Sequence, residues 1–441
     1  METSGSSVLA PRGWDGYVAA WSIKALLRPA QMLAAAPSFL CLAALTAMLL
    51  RHPDVKFYEI DRIAFGLLVV GVVGRAMIMR QPLFVWERAS WPMLGLTAWA
   101  LASVAGQPFD SETWNLLASK LIVPFSMFHL AGLIFTHERR LRHFEIFCLV
   151  ILAYLSFTAI AFLFGLHSLI FPRFILDASV GFQPDRARGP LLQAVANGVS
   201  LNILGLLAVN AYCRKKVHRR SIRLLLASVP IAILATMTRA VWLTFAGSVA
   251  ALSFLSGKQH FRHSFVTVLV LATCGLGLVL GTGQLGDVLN DRLHDSGPVE
   301  FRQAVYAGSW EMFLQHPLTG WGVHQMPGEL PRHVTGYRGE KILYPHNTYL
   351  ELLAEQGLVG FSLYLWLMWE LWKLGRGAVP SNEANGFLNQ HFRRLWPIML
   401  AVYWANAAVV VMSYQFVNAL LFTLAGMLAA QRRRIRMEQS C

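Results

Sequence analysis

Twelve apolar runs, several of them long enough to cross a bilayer, constrain this chain more than anything else in it. They fall at roughly 30–50, 62–80, 91–106, 114–136, 143–171, 191–212, 221–237, 240–256, 264–282, 348–373, 394–413 and 415–430. A helix needs roughly 20 apolar residues to span the hydrocarbon core. Within lipid a helix satisfies its own backbone, whereas an open strand does not. The expected fold is therefore an all-α polytopic membrane protein with about 12 transmembrane helices. Composition agrees, because only 14% of the residues are charged and 55% are hydrophobic. That leaves too little polar surface for a soluble enzyme, a disordered chain or a secreted disulfide scaffold. Cys41, Cys148, Cys213, Cys274 and Cys441 are odd in number and lack CxxC spacing, so neither disulfides nor zinc are expected. No cleavable signal peptide is expected, since the first apolar run is followed by further spans.

A net charge of +14 suggests nucleic acid until its distribution is traced. With twelve spans and a cytoplasmic N-terminus, the cytoplasmic segments hold about 25 of the 38 Lys and Arg. They include the cluster from Arg214 to Arg223, the pair Arg139 and Arg140, and the tail Arg432, Arg433, Arg434 and Arg436. The positive-inside rule then places both termini in the cytoplasm and removes the need for a nucleic-acid partner. Two long connections fall on the opposite side, from Pro172 to Gly189 and from Gly283 to about Asn347. The simplest organisation is a single membrane domain, 1–441, capped by a loop, 283–347, that carries short helices. Within that loop Val299 to Gln315 reads as a helix, with Phe301, Val305, Trp310, Phe313 and Leu314 at helical spacing.

Ionisable groups at a membrane face are functional candidates. Arg186 and Arg188 precede the sixth run, Arg239 sits between the seventh and eighth, Arg302 lies on the loop helix, and His346 and Asn347 stand where the loop rejoins the membrane. A guanidinium fork binds two phosphate oxygens at once, so converging arginines suit a diphosphate-bearing lipid. The bland alternative for Arg239 and Arg188 is a snorkelling or helix-start residue. His346 follows Pro345 at a helix start, with Asn347 or Thr348 available as caps. An imidazole there can take a proton from a sugar hydroxyl near neutral pH. Glu351, about one turn on, either orients the ring, caps, or joins a helical charge pair. Lys120 either snorkels or adds charge at the donor site. Tyr349 and Arg338 are further candidate substrate contacts. Glu59 and Asp61 have the spacing of a divalent-metal pair, or else belong to a solvated loop of mixed charge.

The segments His316-Pro317-Leu318-Thr319-Gly320-Trp321-Gly322, His346-Asn347-x-Tyr349-Leu350, Glu355-x-Gly357-Leu358-x-Gly360 and Thr238-Arg239-Ala240-x-Trp242-Leu243 together resemble the signature of the O-antigen ligase and polymerase superfamily. The resemblance covers roughly residues 185–365. It implies a GT-C-like, membrane-embedded glycosyltransferase of the bacterial inner membrane, with its active site under a large periplasmic loop. The donor would be a glycan on undecaprenyl pyrophosphate, the acceptor lipid A–core oligosaccharide, and the surroundings inner-membrane lipids. His346 matches the family's essential loop histidine, Arg239 its membrane arginine, and Arg188 the arginine before the middle span. Arg302, Arg186, Arg338, Lys120, Asn347 and Tyr349 would contact substrate. No metal and no other cofactor is implied.

Readings that share the donor differ in the acceptor: another lipid-linked glycan for a polymerase, a protein Ser for an oligosaccharyltransferase. A transporter is a reading of a different class. The chain shows no repeated halves, and its charged cluster lies at one face, which favours an enzyme.

Overall fold

A computed structural model of the chain describes residues 36–52, 59–80, 82–84, 86–105, 107–214, 219–256, 297–334, 344–377, 379 and 385–440. Helices occupy eleven of the twelve apolar runs, and the run at 264–282 lies outside the described residues. In chain order they are α1 (Pro37–Leu49), α2 (Ile60–Met79), α3 (Ser90–Val104), α4 (Ser111–Ile134), α5 (Glu138–Leu163), α6 (Ala194–Cys213), α7 (Arg219–Ala235) and α8 (Arg239–Ser256). After the loop come α9 (Gly297–Gln315) and α10 (Met326–His333), then α11 (Thr348–Leu374), α12 (Gln390–Ala407) and α13 (Gln415–Ser440). Among the described residues there is no strand. By length and composition α2, α4, α5, α6 and α11 can each cross a membrane, and α1 and α8 are shorter apolar helices. The described residues are those of an all-helical membrane protein. The helix expected at Val299 to Gln315 is α9.

Chemistry of particular residues shapes these helices. In α4, Pro124 has no N–H to offer the carbonyl four residues back, and its ring crowds that carbonyl. The helix answers with a π turn at Ala118–Ile122, in which Val123 N donates to Ala118 O. Close helix approach relies on small residues. A Cβ on Gly426 of α13 would lie within 2.8 Å of the Phe128 carbonyl carbon on α4. One on Gly198 of α6 would lie within 2.7 Å of the Val241 side chain on α8. α6 is almost wholly enclosed by α5, α7, α8 and α12, whereas only about a fifth of the residues of α2 are buried and the helix faces outward.

Polar contacts divide the bundle into two ends. At one end basic side chains close off helix C-termini, where carbonyls lack helical partners. Arg393 donates to Arg376 O (3.2 Å) and Gln431 Oε1 (2.8 Å), Arg432 to Lys373 O (3.2 Å), and Arg434 to Thr136 O (3.3 Å). Buried Arg214 pairs with Glu145 and lies 3.7 Å from Glu138, which accepts from Phe387 N at 3.1 Å. At the other end Arg51 bridges Asp61 (3.5 Å) and Gln415 (3.3 Å), and Arg62 pairs with Glu59 (2.7 Å). Glu59 and Asp61 thus both have arginine partners, as in the mixed-charge reading of that loop. That same end carries His346.

Candidate active site

His346 occupies a tight turn with φ +48°, between Pro345 and the start of α11. Asn347, in extended conformation, caps α11 by accepting from Tyr349 N (2.9 Å) and Leu350 N (3.3 Å). The His346 ring stands edge-on to Phe301 of α9, 5.5 Å between centroids, and Arg302 is the next residue of that helix. One turn along α9, Tyr306 donates to Ala408 O at 3.3 Å. Thr348 closes the circuit: its hydroxyl donates to Val410 O (2.9 Å) and accepts from Met412 N (3.0 Å). Tyr349 donates its phenol to Trp404 O (2.8 Å), so it serves α11–α12 packing in this state.

The arginine-bearing segments join this turn through a chain of hydrogen bonds. Arg239 is the exposed first residue of α8. The α7–α8 turn before it is closed by Thr238 Oγ1 donating to Thr236 O (2.8 Å) and by Trp242 Nε1 donating to Ile233 O (3.1 Å). Ala187 N donates to Ala235 O (3.1 Å), and Asn197 of α6 donates to Ala187 O (2.8 Å), so the Arg186–Arg188 segment is stitched to the Arg239 turn. Asn406 of α12 then donates to Thr244 of α8 at 3.0 Å, just before the α12–α13 connection that Tyr306 and Thr348 grip.

Arg186 is largely covered, with Nε 3.9 Å from Asp185 Oδ2. Arg188 is 1% exposed. Its guanidinium donates to Ile175 O at 3.0 Å and also to the carbonyls of Val180 and Asp177. Although the sequence suggested a free anion clamp, in this state the fork holds the Pro172–Gly189 loop together. Arg338 lies outside the described residues.

Lys120 does not snorkel. It sits on the π turn of α4, and Nζ donates to Glu351 Oε1 at 2.7 Å, with the carboxylate buried. Pair and neighbours line a cavity of about 60 Å³ with Glu355, Gln356, Thr348 and Tyr364. Gln356 Oε1 and the Tyr364 hydroxyl are buried there without a protein partner. Sequence reasoning missed this pocket. Its one signal was two carboxylates four residues apart, Glu351 and Glu355, inside an apolar run.

The glycine-rich motifs form a clasp. α11 breaks at Gly357 (φ +62°, ψ −166°), and the segment His316–Gly322 lies across the break. Trp321 N donates to Ala354 O (2.9 Å) and Gly322 N to Glu355 O (2.8 Å). In return Leu358 N donates to Pro317 O (2.8 Å) and Val359 N to Leu318 O (3.3 Å). A Cβ on Gly357 would sit 2.7 Å from Gly320 N and closer still to the Leu318 carbonyl. One on Gly320 would sit 2.5 Å from Gln356 N. Backbone meets backbone here, which only glycine permits. Glu355 also accepts from His324 N (3.0 Å), whose ring faces Glu112 at 3.7 Å and Asp110 at 4.0 Å.

Among the described residues no group of three or more His, Cys, Asp or Glu is placed to hold a metal ion. No curated protein matches the chain. Residues 224–365, from within α7 to within α11, match the family described as O-antigen ligase. That span contains Arg239, Arg302, the clasp and His346, and it is this part of the chain that is similar to the O-antigen ligase family.

Proposed function

We propose that the protein is an O-antigen ligase, transferring a glycan from undecaprenyl pyrophosphate to lipid A–core oligosaccharide at the periplasmic face of the inner membrane. The observation that carries this reading is the family match, whose span supplies Arg239, Arg302 and His346. The chain of contacts linking the segments that carry those residues, at one end of the bundle, supports it. The arginine-rich opposite end supports an orientation with that end, and both termini, in the cytoplasm.

In this mechanism His346 accepts the proton of an acceptor hydroxyl as its oxygen attacks the anomeric carbon. The C–O bond to phosphate breaks, and undecaprenyl pyrophosphate leaves with the bonding electrons. A single displacement of this kind inverts the anomeric centre. Arg239 and Arg302, with Arg186, bind the pyrophosphate and stabilise the charge that grows as it departs. Arg188 contributes by fixing the loop beside them. The glycosyl–pyrophosphate bond supplies the energy.

The test is transfer by purified protein in detergent, with undecaprenyl-pyrophosphate-linked glycan, lipid A–core and a chelator. Glycosylated lipid A–core that disappears with His346→Ala supports a metal-independent ligase. Elongation of the lipid-linked glycan with no transfer to lipid A–core makes the protein a polymerase instead, and transfer only to a protein Ser makes it an oligosaccharyltransferase. Near-normal ligation by His346→Ala removes the base role. Unchanged activity and donor binding in Arg239→Lys removes the bidentate clamp.

A further inference from the structure

A buried ion pair rarely repays its desolvation in stability, and an apolar pair of similar volume often serves the fold as well. Lys120 and Glu351 nevertheless form one, 2.7 Å apart, within the membrane-spanning bundle. Their placement accounts for it. Glu351 lies in the first turn of α11, and its N–H donates to Asn347 O at 3.0 Å, the residue after His346. The Glu351 backbone is thereby tied to the helix start next to the histidine's turn, which is held in left-handed backbone conformation at φ +48°. Lys120 in turn sits on the π turn, where an extra residue re-aims the side chain.

A second connection runs from the same π turn to the same helix start. Asn418 of α13 donates to Ser119 O (3.3 Å) and to Met412 O (3.0 Å), and Tyr403 donates to Asn418 Oδ1 (2.7 Å). Met412 N donates to Thr348 Oγ1 (3.0 Å). The π turn thus reaches α11 twice, once by charge through Glu351 and once by neutral hydrogen bonds through Thr348.

We propose that Lys120 is a positioning residue for His346: the π turn of α4 is the platform on which the His346 turn is set, and the Lys120–Glu351 pair transmits that setting to the imidazole. This rests on the reading of His346 as the base. It replaces the expectation that Lys120 touches the donor. A misplacement of about 1 Å at a reacting group costs roughly a hundredfold in rate, so the pair's value lies in turnover.

The test compares wild type, Lys120→Arg, the double variant Lys120→Met/Glu351→Met and His346→Ala, all full-length in detergent. Transfer to lipid A–core is measured beside the rate at which diethylpyrocarbonate modifies His346, read by mass spectrometry. The double variant removes both partners of the pair at once, so neither is left buried alone, and its thermal midpoint should stay close to or exceed wild type. Its kcat should fall about ten- to a hundredfold, with the donor KM within about twofold of wild type. His346 modification should change severalfold, and Lys120→Arg should recover most of kcat. Wild-type turnover and wild-type His346 reactivity in the double variant overturn the proposal. So does a raised donor KM at unchanged kcat, which makes Lys120 a substrate contact. If His346 reactivity responds as expected while even wild type transfers no glycan, the positioning stands and the ligase reading fails.

Discussion

Replacing Gly357 by alanine should open the clasp between the His316–Gly322 segment and α11. The residue adopts φ +62° and ψ −166°, a region reserved for glycine, and forcing alanine into it costs about 1–3 kcal/mol. The new Cβ also collides with the Leu318 carbonyl and lies 2.7 Å from Gly320 N. Relieving that collision means separating the strands of backbone, with loss of two or more of the four main-chain hydrogen bonds across the break at about 0.5–1.5 kcal/mol each. The sum, about 2–6 kcal/mol with two bonds lost, raises the open population of the clasp by at least about thirtyfold. Hydrogen exchange reads this directly, because the amides of Trp321, Gly322, Leu358 and Val359 are the donors. They should exchange at least about thirtyfold faster in Gly357→Ala. Gly66→Ala is the control, since nothing lies within 4 Å of a Cβ there and α2 is an ordinary helix at that point. Exchange at the four amides within about threefold of wild type would refute the account of the clasp as a glycine-dependent joint.

Arg188→Ala should orphan the buried carbonyls of Ile175 and Val180, at about 1–3 kcal/mol each, and open the Pro172–Gly189 loop to limited proteolysis while α5 and α6 stay intact. Thr348→Val removes the bridge between Val410 O and Met412 N, and the thermal midpoint in detergent should fall by several degrees. Asp110 caps α4, and hydrogen bonds from the Thr113 hydroxyl and the Thr113 and Glu112 amides hold its carboxyl below the usual carboxylate range. Because its folded-state pKa is depressed, the cap contributes fully above the ordinary carboxylate pKa and is lost as pH falls through the folded value. Exchange protection of the Glu112 and Thr113 amides should therefore drop on acidification, and Asp110→Ala should abolish that pH dependence.

Much of the architecture was legible because membrane helices announce themselves locally, through unbroken apolar runs. α9 and the Asn347 cap were readable for the same reason, since spacing and capping chemistry are properties of a few adjacent residues. What escaped was whatever depends on distant partners. Lys120 and Glu351 are 231 positions apart, and nothing beside either one names the other. Arg188 looked like a free cation because the carbonyls it binds belong to an irregular loop without a sequence signature. The break at Gly357 was hidden by continuous apolar residues on its far side, which read as one uninterrupted span. The glycines of both motifs were visible, but not that each exists to admit the other's backbone.

That reciprocity has a practical consequence for genetics. Under the proposed function, a screen scored by surface glycan would rank Gly320 and Gly357 alongside His346, since a chain with a sprung clasp would deliver no product. Recurrence of these glycines in a diagnostic pattern would then measure the tolerance of a joint, not proximity to sugar. Pairing each loss of product with the abundance of intact protein separates the two classes: substitutions at the clasp should lower both, whereas loss of the imidazole should leave a full complement of silent enzyme.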